Sequence, residues 1–167
     1  MVRATALPWL ALVTILACTQ GQTADTTAGA APLRRDALVE IQAGLGATPV
    51  RIEVEVADDP AEQARGLMHR RLAGDGVGML FVFPTAAPRT FWMRNTPGSL
   101  DLLFLDAGLR LVALIQNAEP MSDRLLRSGA PAQYVLEVPG GFAERHGLGL
   151  GAQVRISRAA DRAPGPG

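Results

Sequence analysis

The sequence predicts a mainly β domain of the α+β class: a small antiparallel sheet, barrel-like or sandwich-like, with one or two short helices. Three observations predict it. "PVRIEVEV", beginning at Pro49, alternates apolar and charged side chains with the period of a half-buried strand. "GMLFVF", "TFWMRN", "LDLLFLD" and "RLVALIQ" then follow one another closely, each bounded by Gly, Pro, Asn or Asp. Helical signals are confined to two short stretches.

The 167 residues suit one domain with extensions, and a hydrophobic content of 48% suits a globular core. Residues 1–17 read as an export signal: Arg3 precedes an apolar stretch from about Leu7 to Ala17, shorter than the roughly 20 residues of a membrane span. Cys18, the single cysteine, follows Ile15-Leu16-Ala17, a run that resembles the lipobox of bacterial lipoproteins. That resemblance implies cleavage before Cys18 and its lipidation. The alternative is an ordinary signal cut a few residues later. Residues 18–36, rich in Thr, Ala and Gly, are expected to be a flexible tether. The domain is expected over 37–158, and the tail 159–167 is expected to be disordered.

Within the domain, "ALVEIQA" is a candidate hairpin partner for "PVRIEVEV" across "GLGATP". The alternation puts Val50, Ile52, Val54 and Val56 on a buried face and Arg51, Glu53 and Glu55 on a wet one. "DDPAEQARGLMHRR" should open a short helix, with Asp59 as N-cap, Pro60 at the first helical position, Glu62 completing a capping box and Gly66 weakening the end. "TPGS" should form a turn, with Gly98 free to take positive φ. "QYVLEV" and "AQVRIS" read as further strands, and "PGGFAERHG" as a second short helix.

Charge restricts function. Acidic and basic residues number 16 each, and removing residues 1–17 takes away only Arg3, leaving 15 basic against 16 acidic. A nucleic-acid partner is therefore not expected, since it would require a basic stripe. Every basic residue is Arg, which excludes a Schiff-base lysine and the lysine of a phosphate-binding loop. No G-x-S-x-G elbow surrounds Ser99, Ser122, Ser128 or Ser157, and Cys18 precedes the domain. His69 and His146 are far apart, and Met68, Met79, Met93 and Met121 lie in separate apolar segments where methionine serves as core filler. No metal site and no cofactor is expected.

Five ordered runs, "RGLMHRRL", "GMLFVFP", "FWMRNT", "LDLLFLD" and "YVLEVPGG", closely resemble domain-of-unknown-function family 192 from about Val50 to Ile156. The resemblance implies a mostly β fold with short helices, often exported, and no established activity. This chain departs from the family pattern at Gly98 and Ser99, where an apolar residue and often Pro precede the Leu-Asp pair. It departs again at Ala152, where an Asp commonly stands, so a role resting on that Asp does not carry over.

The sharpest local signal is Asp101, an acid inside the apolar run "LDLLFL". An unpaired charge there would cost several kcal/mol to bury, on the order of the penalties measured for unsatisfied polar groups. Asp101 is therefore expected to be bonded by N–H groups of the 95–99 turn, by Asn95 or Thr96, or by Arg94 or Arg65, and to lock that turn. A second acid, Glu137, alternates with Leu136 and Val138 as a wet-face residue would, although Asp101 and Glu137 together would supply the carboxylate pair of a glycosidase. "AEPMSDRLLRSGAPAQ" reads as a long polar loop carrying Arg124, Arg127 and Ser128, and Trp92 with Arg94 should be exposed beside it.

These residues support an exported, lipid-anchored envelope or periplasmic domain. Its expected function is to bind a small ligand or envelope component, with Trp92, Arg94, Asn95, Asp101 and Ser128 as candidate binding residues. Two alternatives remain open, a carboxylate-driven hydrolase of envelope carbohydrate and a protein-interaction module.

Overall fold

A computed structural model of the protein describes residues 32–44 and 46–158. The export signal, Cys18, most of the tether and the tail lie outside the described residues. Nine elements follow in order: β1 (Ala37–Gln42), β2 (Val50–Ala57), α1 (Pro60–Arg65), β3 (Val77–Phe91), β4 (Leu100–Leu105), β5 (Leu111–Ala118), β6 (Leu126–Pro139), α2 (Phe142–Arg145) and β7 (Gln153–Arg158).

The strands form one sheet in the order β5-β4-β6-β3-β2-β1-β7. β1 and β2 pair antiparallel as the expected hairpin, with Val39 opposite Ile52. β2 and β3 are parallel, a departure from an all-antiparallel sheet. Parallel neighbours need a crossover of about a dozen residues or more, and the segment 58–76, which carries α1, supplies it. The sheet curls into a half-barrel, bringing its two ends together where the Leu111 N–H donates to the Ala152 carbonyl (2.9 Å) and the Val154 N–H to that of Leu109 (2.9 Å).

β4 is buried at all six positions, so neither of its faces is wet. Alternation sends Leu103 and Leu105 into a core with Ile52, Val54, Leu80, Leu136, Val138 and Phe142. Leu100, Leu102 and Phe104 enter a second core, with Met79, Phe81 and Val135 from the sheet and Leu67 and Met93 from the segments lying over it.

"GMLFVF" and the start of "TFWMRN", expected as two strands, are one strand, β3. β6 likewise begins at Leu126, so much of the expected loop is strand. The physical reason is mutual pairing: Phe91 stands opposite Leu126 and Pro88 opposite Pro131, in a ribbon that runs on beyond the body of the sheet. β6 pairs with β4 only from Tyr134, so Pro131 sits where β6 is an edge and the missing N–H costs no ladder bond.

Asp59 caps α1 as expected, but among the described residues no bond from the Asp59 N–H to Glu62 completes the capping box. Asp59 Oδ1 accepts the N–H groups of Ala61 and Glu62, both at 2.8 Å. The Glu62 carboxylate pairs with Arg34 (2.8 Å). The helix ends at Gly66, whose φ of 47° disfavours a side chain and where a Cβ would lie 3.2 Å from the Phe81 ring. The turn after β3 falls earlier than "TPGS": the Thr96 N–H donates to the Met93 carbonyl (3.0 Å), and Asn95, at φ 55°, takes the left-handed position that Asn tolerates.

Asp101 is fully buried at the start of β4, but its partners are not those of the 95–99 turn, nor Arg94 or Arg65. Its Oδ1 accepts the N–H groups of Asn117 (2.7 Å) and Gly141 (3.0 Å), and its Oδ2 accepts that of Ala143 (2.8 Å). Asp101 faces the first core, away from the turn, and α2 packs there with Phe142 buried. The carboxylate therefore ties β4 to the end of β5 and to the first turn of α2, leaving no acceptor oxygen unused.

Asp101→Asn replaces one acceptor oxygen with an amide that points N–H at N–H. The expected loss is about 1–3 kcal/mol, read from urea unfolding midpoints. The control, Asp123→Asn, removes an exposed pair with Arg94 and should change stability by no more than about 1 kcal/mol. Equal midpoints for Asp101→Asn and the native chain would remove the structural role.

Candidate functional site

The second face of the sheet carries one row of side chains across four strands. Glu55 on β2 stands opposite Met79 on β3, Met79 opposite Glu137 on β6, and Glu137 opposite Leu102 on β4. Both acids are buried, contrary to the wet faces that their alternation suggested. They are covered by α1 and the turns after it, whose Leu67 enters this core.

The two acids differ in their partners. Glu55 accepts two bonds from Arg70, Nη1 to Oε2 at 2.9 Å and Nη2 to Oε1 at 3.2 Å, and one from the Arg34 backbone N–H at 2.9 Å. Burial pulls the Glu55 carboxyl upward, but the Arg70 and Arg34 bonds outweigh it and hold the group below its usual value. Glu137 is 4% exposed, and its carboxyl has no hydrogen bond or ion pair among the described residues; none of their wholly buried side-chain oxygens lacks a partner, so this carboxyl keeps some accessible surface. Arg70 attracts it only at a distance, because the guanidinium is occupied by Glu55 and by the Gly66 carbonyl (2.7 Å). Burial pushes the Glu137 carboxyl up to about 8, so at neutral pH it is mostly protonated.

Glu137 lines a cavity of about 580 Å³, within the usual range of roughly 300–1,000 Å³ for ligand pockets. Phe81, Phe83 and Phe91 of β3 supply aromatic walls, with Phe81 and Phe91 in edge contact at 5.1 Å between centroids. Residues 63–68 of α1 and its following turn form another wall, and residues 88–90 with Trp92, Arg94, Thr96 and Leu125 add to the lining. Trp92 (41% exposed) and Leu125 are among the few large apolar side chains left open to solvent.

Three arginines border this cavity. Arg89 stacks on Phe83 at 3.8 Å and is bound through Nε to the Ala132 carbonyl (3.0 Å) and through Nη2 to that of Thr85; burial lowers its pKa. Arg94 lies 4.1 Å over the Trp92 ring and pairs with the exposed Asp123 at 2.6 Å. Arg65 has no carboxylate partner among the described residues. Among the described residues Glu137 is the one acid in the lining, against three arginines.

Of the residues singled out in the sequence, Trp92 and Arg94 line this cavity together. Asn95 sits in the adjoining turn, where its carbonyl accepts the His69 N–H (2.7 Å). Ser128 is buried in β6, accepting from the Arg89 N–H (3.0 Å) and donating to the Ala130 carbonyl (2.6 Å), so it steadies the ribbon. Asp101 and Glu137 cannot flank one substrate, because Glu137 shares its face with Leu102 while Asp101 points to the opposite face of β4. His146 bonds Asp75 at 3.0 Å, and Arg145 holds the same carboxylate through two nitrogens. Among the described residues no group of His, Cys, Asp and Glu could hold a metal ion.

Glu137 was detectable by the logic applied to Asp101. Val135 and Pro139, two positions to either side, are apolar, as are Leu136 and Val138. Arg65 and the phenylalanine walls carried no comparable signal, since sheet pairing and the path of α1 bring them together.

The family model DUF192, described as uncharacterized ACR, matches residues 37–156. A crystal structure titled a "putative transcription regulator" from Sinorhizobium meliloti 1021 is similar at 31% identity and TM-score 0.70, over 77% of this chain and 98% of that one. A protein of unknown function from Novosphingobium aromaticivorans DSM 12444 is similar at 36% identity and TM-score 0.66, over 71% and 83%. No curated protein matches the chain.

The raised Glu137 pKa sets a stability signature. Between its ordinary value of 4.5 and about 8 the unfolded chain has released this proton while the folded protein keeps it. Stability contributed by this group therefore falls as pH rises through that window, by up to about 1.4 kcal/mol per pH unit. Glu137→Gln should gain on the native protein steadily from about pH 5 to about pH 8 in urea unfolding. A constant difference between the two proteins across that range would contradict the assignment.

Proposed function

The chain belongs to the DUF192 family, and for this member we propose a binding module of the cell envelope that takes small, largely apolar organic anions. The observation that carries this reading is the combination of an aromatic-walled cavity with an arginine border and no ionised acid in its lining at neutral pH. Apolar walls supply affinity by burial, at roughly 25 cal/mol per Å² of apolar surface, and the arginines fix the orientation of the charge. Arg65 and Arg89 have no carboxylate partner among the described residues, Arg89 being held instead by two backbone carbonyls, and Arg94 can exchange its exposed Asp123 partner for a ligand.

Export and lipid anchoring are part of the same proposal. They rest on the apolar run before Cys18 and on the lipobox-like Ile15-Leu16-Ala17-Cys18. The tether joins the domain on the cavity side of the sheet, since Leu33 packs into the second core and the Arg34 N–H bonds Glu55. An anchor there would hold the cavity near the membrane surface. Nucleic acid is not the proposed partner, because the arginines of the chain are matched in number by acids.

The hydrolase alternative loses the pairing it needed, since only Glu137 of the two carboxylates reaches the cavity. The interaction-module alternative has Trp92, Met121, Leu125 and Leu150 as exposed large apolar residues. Trp92 and Leu125 border the cavity mouth and are accounted for by a ligand.

Titration calorimetry with 2-naphthoate and with naphthalene-2-methanol tests the reading. The anion should bind at least about tenfold more tightly than the neutral alcohol, the usual scale of a charge-assisted hydrogen bond. Arg65→Gln should remove most of that advantage, and Trp92→Ala should weaken both compounds. Equal affinities for anion and alcohol, or no binding of either, would refute it. Anchoring has its own readout. Cys18→Ala should move the expressed protein from the membrane pellet to the soluble envelope fraction, and an unchanged distribution would remove the lipid anchor.

A further inference from the structure

We propose that Glu137 reads the buried end of the ligand, its protonated carboxyl donating a hydrogen bond to a neutral acceptor oxygen such as a carbonyl. The preferred ligands are then aryl or alkyl anions that carry a carbonyl opposite their charge. This inference rests on the binding function proposed above and adds the chemistry of the ligand's second end.

The argument begins with what a buried carboxyl requires. A polar group inside an apolar enclosure is normally bonded, and Glu137 has no bond among the described residues although it is 4% exposed. Across the sheet its flanking side chains are Met79 and Leu102, neither of which offers a strong partner. The cavity is the one direction left to its carboxyl. A carboxyl that opens only onto a cavity is arranged to bond what enters that cavity.

The surrounding charges decide whether it donates or accepts. Arg65, Arg89 and Arg94 line the same cavity, Glu55 lies along its row, and Arg70 is the charge that acts on it. A cationic ligand for an ionised Glu137 would have to pass three arginines, so a cation is disfavoured. Glu55 already claims Arg70 through two bonds, which denies Glu137 a counterion. Desolvation then keeps the proton on Glu137 up to about pH 8. In that form it is a hydrogen-bond donor at the wall of the cavity. Its natural complement is an uncharged oxygen at the end of the ligand opposite the anion that the arginines hold.

The test compares 6-acetyl-2-naphthoate with its near-isostere 6-isopropenyl-2-naphthoate, which has a carbon where the first has the acceptor oxygen. Calorimetry from about pH 6 to about pH 9.5 spans the Glu137 titration while every arginine stays charged. The acetyl compound should bind about fivefold more tightly up to about pH 7.5, the scale of one net hydrogen bond, and lose that preference as pH passes about 8.

Two variants separate reading from folding. Glu137→Gln keeps an N–H donor that does not ionise, so the preference should survive and become independent of pH. Glu137→Ala should bind both compounds without preference. Equal affinities in the native protein, a preference unchanged at about pH 9.5, or a preference retained in Glu137→Ala would each overturn the inference while leaving the cavity reading intact. Binding of neither compound would overturn both.

Discussion

A carboxyl group on a strand with no wet face must be either bonded or neutral, and this fold contains both solutions on neighbouring strands. Asp101 opens β4 on one face of the sheet and is satisfied by three backbone N–H groups. Glu137 lies on β6, on the other face, and has none. The difference follows from what covers each face. α2 brings two of its first N–H groups to Asp101, whereas Glu137 is covered by side chains of α1 and its turns and by the aromatic edge of β3. Backbone donors can stabilise a charged carboxylate, and a wall of hydrocarbon cannot.

That asymmetry explains why one face is sealed and the other hollow. The first core is closed by strands curling toward each other, by Phe142 and Ala143 of α2, and by Leu148 and Ala152 from the turns after it. The second is closed by a six-residue helix that ends at Gly66 and by turns that take positive φ at His69 and Asn95. Short irregular segments follow the sheet less closely than a strand or long helix does. The long β3–β6 ribbon, leaving the body of the sheet beyond Tyr134, adds an overhanging wall. A cavity between them is the geometric result, with Phe81 held between the sheet and Gly66.

The sequence revealed the parts of this arrangement that depend on local pattern. The hairpin of β1 and β2, the cap at Asp59 and the burial of Asp101 could all be read from residues within a few positions of one another. What could not be read is non-local. Asn117, Gly141 and Ala143 meet Asp101 from 16, 40 and 42 residues away, and nothing in their types announces a donor. Glu55 looked solvated because Arg51 and Glu53 on its face are charged, and it is Arg70, arriving from the crossover, that encloses it. Ser128 looked like a loop residue because Gly129 and Pro131 usually mark loops, whereas pairing with β3 holds them in strand. Glu137 is the instructive case, since its four nearest neighbours are apolar, as three of the four around Asp101 are, yet the Leu-Glu-Val alternation fits a half-wet strand equally well.

The state of Glu137 is finally a matter of where one arginine points. Glu55 and Glu137 occupy the same row, separated by Met79, and Arg70 acts on both by its charge. It is committed to Glu55 by two bonds, and the Gly66 carbonyl at the end of α1 takes the second Nη2 bond. The Arg34 N–H adds a further donor to the same acid. Three donor groups thus converge on or around Glu55 while only the far field of Arg70 reaches Glu137. Concentrating the donors on one carboxylate leaves it ionised and structural, and leaves the other neutral at the wall of the cavity. The same contacts that fasten the end of α1 to β2 therefore set the chemistry available to whatever enters between α1 and β3.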